Sequence, residues 1–239
     1  MKYAIAFFAT AALAAGVWDF LHGTQAPHAA KIIDTSSSVI RNCDAVVAEG
    51  KSIAREKLRA GSKLSLLSIG RSAAEPAAAL LFDKEPPAPP EVILGQDEQA
   101  FAKAQAAYFT EVRNACLSAP ASRYSPVLRL VRDAIAHLRS KGCAPGGECF
   151  VEGQTDLEDD VDEKLAPVIR RLVSHPDAAL PKELIGSIDN RGIRVSFCLA
   201  TRAPRSMTSR APAPEAIERV WTALFSRPDL VSFKRFCGM

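Results

Sequence analysis

The chain has 239 residues, enough for one large domain or two small ones, and 48% of them are apolar, so a sizeable core is available. With 30 Lys and Arg against 27 Asp and Glu the net charge is only +3, and basic residues are interleaved with acids, which argues against a nucleic-acid partner. Aromatic residues make up 7%, and no basic-aromatic platform for stacking bases is present in the sequence.

The first segment, 1–26, reads as a signal peptide or an N-terminal membrane anchor. Lys2 gives a positive start, Tyr3 to Val17 is uncharged and mostly apolar, and Ala12-Leu13-Ala14 offers small residues at a cleavage spacing. The run is short of the roughly 20 residues of a spanning helix. Trp18, Phe20 and Leu21 extend it past Asp19, which leaves membrane attachment through residues 3–21 as the second reading. Either way the body, 27–239, is expected to be a single domain in the periplasm or cell envelope. The six cysteines of an exported chain make disulfides plausible; Cys143 and Cys149 flank a turn-rich stretch that closes a small loop.

Beyond the leader, strand-like and helix-like patterns alternate. Ala29 to Ile33 is an apolar run read as a first strand. Val39, Ile40, Cys43, Val46, Val47 and Ile53 recur at helical spacing, with Ser36 or Ser38 as the cap. Leu64 to Ile69 reads as a second strand, and Ala78 to Phe82 as a third, at an edge. The run Glu85-Pro86-Pro87-Ala88-Pro89-Pro90 excludes helix and central strand and reads as a surface excursion.

Asp97 to Leu117 reads as a helix, and Ser125-Pro126 opens another, with Ser125 capping and Pro126 at the first helical position. Cys149 to Val151 is a short strand that leads to an acidic loop, Asp156 to Asp162. A helix follows through Leu165 and Leu172, then an alternating strand from Ile193 to Leu199, then a helix from Ile217 to Phe225. The tail, 229–239, stays unassigned, with Phe233, Phe236 and Cys237 suggesting that it docks on the body. Strands separated by helices predict an α/β fold, a doubly wound, mainly parallel sheet flanked by helices. Ligands of such sheets bind at the carboxyl ends of the strands, where strand order reverses.

Asp34 and Asp156 each follow a predicted strand. In Asp34-Thr35-Ser36-Ser37-Ser38, a carboxylate and two hydroxyls alternate, a set of hard oxygen donors suited to a hard divalent cation. Taken alone, the same residues make an ordinary helix cap. The run Glu158 to Asp162, taken alone, reads as a solvated acidic loop ahead of a helix N-terminus. The histidines His22, His28, His137 and His175 lack ligand spacing, and Trp221 is read as core.

On these residues the chain resembles a von Willebrand factor A-type domain, of a bacterial exported type, with a metal-ion-dependent adhesion site. The family motif Asp-x-Ser-x-Ser is matched by Asp34, Ser36 and Ser38. The family's second-loop Thr is replaced by Ser125, with Ser122 as an alternative register. The Asp of the third loop is matched by Asp156, in Thr155-Asp156-Leu157, where Leu stands for the family's usual Gly.

The resemblance implies metal ligands Asp34, Ser36, Ser38, Ser125 and Asp156, and Mg²⁺ (or Mn²⁺ or Ca²⁺) as the ion. It also implies a protein partner whose acidic side chain completes the coordination shell, with no catalysis. Two other functions compete: a metal-free scaffold of the same fold, and a hydrolase. Ile33-Asp34-Thr35-Ser36 is superficially like the Asp-Thr-Gly-Ser of aspartic proteases, but the Gly, a second copy and a β-rich body are missing.

Overall fold

The computed structural model describes residues 26–37, 39–69, 78–88, 97–199 and 212–235. The apolar leader, Ser38 and Cys237 lie outside these. Six strands form one sheet: β1 (Ala29–Ile33), β2 (Leu64–Ile69), β3 (Ala78–Lys84), β4 (Cys149–Thr155), β5 (Ile193–Leu199) and β6 (Val231–Lys234). Among the described residues five α-helices accompany them: α1 (Cys43–Glu56), α2 (Asp97–Ser118), α3 (Val127–Ser140), α4 (Leu165–Arg171) and α5 (Pro214–Leu224).

The order across the sheet is β3-β2-β1-β4-β5-β6, and only the β2–β3 pairing is antiparallel. The α/β, mainly parallel sheet expected from the sequence is therefore the one observed. The chain winds outward from β1 to β3, then returns to β4 and winds the other way. The switch point falls between β1 and β4, whose backbones pair in register from Ala29 with Phe150 to Ile33 with Gln154.

Alternation of side chains splits β1 between two cores. Ala29 and Ile33 join Leu64 and Leu66 beneath α1 and α2, where Val46, Ile53, Phe109 and Val112 are buried. Ile32 joins Leu67, Val151, Val195 and Phe197 beneath α3, α4 and α5, with Leu128, Val131, Ile169 and Trp221. At the middle of β4, a Cβ on Gly153 would come within 2.9 Å of both Ile32 and Phe197, so only glycine fits between these two neighbours.

Several boundaries differ from the sequence reading. The first helix begins at Cys43 and is capped by Asn42, whose Oδ1 accepts from the Ala45 amide at 2.9 Å; Ser36 is not its cap. Val39 and Ile40 precede it in the loop. Helix α3 begins at Val127, and the Ser125 side chain does not cap it. The tail contributes a strand, β6, with Phe233 stacked on Phe197 at 5.7 Å. Two disulfides join Cys43 to Cys116 and Cys143 to Cys149, and Cys198 is disulfide-bonded as well. Among the described residues no helix is long and apolar enough to cross a membrane.

Candidate functional site

Three loops meet at the carboxyl edge of the sheet, over the β1–β4 switch point. The first is 34–42 after β1, the second 119–126 between α2 and α3, and the third 156–164 after β4. Asp34 opens the first loop, and its backbone amide still donates to Gln154 O of β4 at 3.0 Å. Its carboxylate is wholly buried.

Four groups converge on that carboxylate. Oδ1 accepts from the Ser36 amide at 2.9 Å, the short turn an Asp side chain makes two residues on. Oδ2 accepts from Thr155 Oγ1 at 2.8 Å and from Ser125 Oγ at 3.3 Å, and the Ser36 hydroxyl also bonds the carboxylate. Ser36, Ser125 and Thr155 are all buried. Burial pushes the Asp34 carboxyl above its ordinary range, and the bonds from Ser36, Thr155 and Ser125 oppose that shift. Among the described residues no Lys, Arg or His forms an ion pair with it.

The structure thus brings Asp34, Ser36 and Ser125 together, with Asp156 at the same edge. Asp156 is buried, and its Oδ1 accepts from the Glu158 amide at 3.0 Å. Ser38 lies outside the described residues. Ser122, the alternative second-loop residue, sits beside the first loop: its amide donates to Thr35 O at 3.0 Å, it pairs with Ser36 as a short parallel bridge, and its Oγ accepts from the Tyr124 amide. Of the two serines, Ser125 is the one that bonds Asp34.

Three residues beyond the expected ligands shape the site. Thr155 donates to Asp34 while its Oγ1 accepts from the Leu157 amide at 3.0 Å; its place just before the third-loop Asp was the available signal. Asp159 is buried, contrary to the solvated reading of its acidic run. Its Oδ2 accepts from the Leu128 amide at 2.7 Å, capping α3 in place of Ser125, and its Oδ1 accepts from the amides of Val161 and Asp162. Burial raises the Asp159 carboxyl, and these amides oppose the rise. Asp160 Oδ1 accepts from the Ser125 amide at 2.6 Å, and the Asp160 amide returns a bond to Ser125 O at 3.3 Å. The acidic third loop therefore holds the second loop in place.

Leu157, where the resemblance expects Gly, has φ of +58°, and it is the one non-glycine residue with positive φ among those described. The left-handed turn is kept without the glycine, at a cost of about 1 kcal/mol. The side chain is wholly buried, and Trp221 Nε1 donates to Leu157 O at 2.9 Å. Core packing holds the strained turn.

The donor set suits a hard cation. A hydroxyl that donates to Asp34 keeps its lone pairs for a metal. Next in the loop, Thr35 Oγ1 is buried with no hydrogen-bond partner. Among the described residues no group of three or more His, Cys, Asp or Glu side chains is arranged around a common point; the cluster at Asp34 is of another kind, hydroxyls around one carboxylate.

One Ser–His–Asp contact exists elsewhere. Ser65 Oγ lies 2.9 Å from His137 Nε2 and donates to Asp83 Oδ1 at 2.9 Å. Ser65 is only 1% exposed, and its proton points to Asp83, the reverse of an activated nucleophile.

No family model matches the chain, and no curated protein does. Similar solved structures include the pilus adhesin SpaC of Lactobacillus rhamnosus GG in an open conformation, at 11% identity and a TM-score of 0.49 over 89% of this chain. Manganese-loaded TRAP protein of Plasmodium vivax overlaps 88% of the chain at 11% identity and a TM-score of 0.42. The human COPII-coat protein Sec24c overlaps 90% at 11% identity and a TM-score of 0.45. The chain spans 28% of the adhesin, 68% of TRAP and 30% of Sec24c. Overlaps of this size carry no argument about function, which rests on the site itself.

Proposed function

We propose that the chain is an exported protein-binding module of the von Willebrand factor A type, which holds a divalent cation at the edge of its sheet and engages a protein partner there, without catalysis. The observation that carries this reading is the Asp34 carboxylate. It is wholly buried, ringed by hydroxyl donors, and has no cationic side chain paired with it among the described residues. A carboxylate placed this way is costly unless a cation compensates it.

Asp34, Ser36, Ser38, Ser125 and Asp156 would hold Mg²⁺, with Mn²⁺ or Ca²⁺ as substitutes. When bound, the ion supplies an electrophilic position that a partner's carboxylate can fill. The protein's part is to fix the oxygens. Thr155 orients Asp34, the pairing of Ser36 with Ser122 aligns the first two loops, and Asp159 and Asp160 set the second loop against the third. The two disulfides accord with an oxidising compartment outside the cytoplasm.

Thermal unfolding of the full chain in Mg²⁺ and in chelator tests the reading. A bound ion at a hundredfold excess over its Kd adds about 2.7 kcal/mol, and Asp34→Ala removes the response. A melting temperature indifferent to Mg²⁺, Mn²⁺ and Ca²⁺ would support the metal-free scaffold instead.

A further inference from the structure

Of the seven large apolar side chains exposed among the described residues, four lie on the three site loops or at the end of α2 that leads into the second: Ile40 at 47%, Leu117 at 53%, Tyr124 at 48% and Val161 at 37%. The clustering has a structural origin. Ile40 lies late in the first loop, and its neighbour Arg41 donates from Nη1 to Cys116 O and Leu117 O at 3.2 and 3.3 Å, which ties the first loop to the end of α2 that carries Leu117. Tyr124 and Val161 flank the reciprocal contact of Ser125 with Asp160, in which the Ser125 amide donates to Asp160 Oδ1 and the Asp160 amide donates to Ser125 O, so they belong to adjoining strips of chain.

Charge is divided across the same face. Arg41 and the exposed Arg123 lie on the first and second loops, and Arg123 enters no ion pair among the described residues. The third loop carries Glu158, Asp160 and Asp162. An acidic ligand is therefore drawn to the side of the first two loops and repelled from the third. Apolar surface kept exposed around a polar centre marks an interaction site.

We infer that Ile40, Leu117, Tyr124 and Val161 form an apolar rim that grips a partner polypeptide carrying an acidic side chain flanked by apolar ones, its carboxylate entering beside Arg123. This rests on the cation reading and adds to it what the partner must offer around its acid. The rim supplies desolvation and contact area, and the Arg123 side supplies orientation.

Random cyclic peptides displayed on phage, selected on the full chain in Mg²⁺, test it. The expected peptides contain Asp or Glu next to aliphatic or aromatic residues and are released by chelator. They bind about tenfold or more weakly to Ile40→Ser/Tyr124→Ser and to Arg123→Glu, while these variants keep the wild-type thermal response to Mg²⁺, and Leu80→Ser, on β3, binds as wild type. Peptides that lack acids, peptides that bind the rim variants as well as the wild type, or no enrichment over the rim variant overturn the inference while an intact Mg²⁺ response leaves the cation reading standing. A wild-type chain that ignores Mg²⁺ overturns the cation reading itself.

Discussion

Thr155 Oγ1 donates to Asp34 Oδ2 at 2.8 Å, joining residues 121 apart in sequence across the switch point of the sheet. The same oxygen accepts from the Leu157 amide, so one threonine fixes both the buried carboxylate and the turn beyond it. Thr155→Val keeps the shape and removes both bonds. The expected loss is about 2 kcal/mol, read by urea unfolding, together with a weakened thermal response to Mg²⁺. A variant as stable as the wild type would contradict the role assigned to Thr155.

Asp159 and Asp160 adjoin but should differ. Asp159 is buried and receives three backbone amides, whereas Asp160 is exposed and receives one. Asp159→Ala is expected to cost about 3 kcal/mol, because the first turn of α3 and the third loop lose a charged acceptor. Asp160→Ala should cost about 1 kcal/mol or less. Equal losses in urea unfolding would show that the run acts as a solvated acidic face.

Leu157→Gly relieves the left-handed turn but empties a wholly buried position. Cavity cost exceeds strain relief, for a net loss of about 2 kcal/mol. Net stabilisation would mean that the turn is strained well beyond the ordinary penalty.

Lys31, buried in β1, contacts Glu49 and lies 3.6 Å from Glu152. Burial pushes its ammonium down to about 8; Glu152 opposes the shift, while Lys234 and Lys57 add to it. Between about 8 and its ordinary 10.5 the unfolded chain holds a proton that the folded chain lacks. Stability from this group therefore rises with pH across that window, and below about 8 the full cost of burying the charge applies. In urea unfolding, the stability of wild type minus that of Lys31→Met should increase from pH 8 toward pH 10. A flat or falling difference would contradict the shift.

The two disulfides that join described residues close loops of different length, with sequence separations of 73 and 6. By chain entropy they contribute about 4 and about 2 kcal/mol. Cys43 follows the first loop and Cys116 precedes the second, so only Cys43→Ala/Cys116→Ala should also weaken the Mg²⁺ response. An equal effect from Cys143→Ala/Cys149→Ala would remove the link between that bond and the site.

The sequence and the structure agree where the signal is local. Ala29 to Ile33 and Leu64 to Ile69 are mainly apolar, with Lys31, Ser65 and Ser68 as buried exceptions, because both faces of these interior strands are covered. From them the site edge follows, since loops after β1 and β4 share one end of a parallel sheet. Side-chain assignments within the loops depend on non-local partners and were less legible. Ser36 and Ser125 have the chemistry of helix caps, yet Asn42 and Asp159 do the capping, and the serines turn to Asp34. Asp159 reads as solvated within a run of acids, yet it is buried between the start of α3 and the turn of its own loop. Strand β6 is four residues, alternately half-buried and exposed, after a Pro-led turn, too short for its pattern to register; its assignment comes from pairing with β5 and stacking on Phe197.

The central claim is that the buried Asp34 carboxylate serves a cation. Calorimetric titration of Mg²⁺ into the full chain, freed of metal by chelator, tests this most directly. A saturable, single-site heat in the wild type that is absent in Asp34→Asn is the predicted result. No saturable heat with Mg²⁺, Mn²⁺ or Ca²⁺, or the same heat in Asp34→Asn, would contradict it.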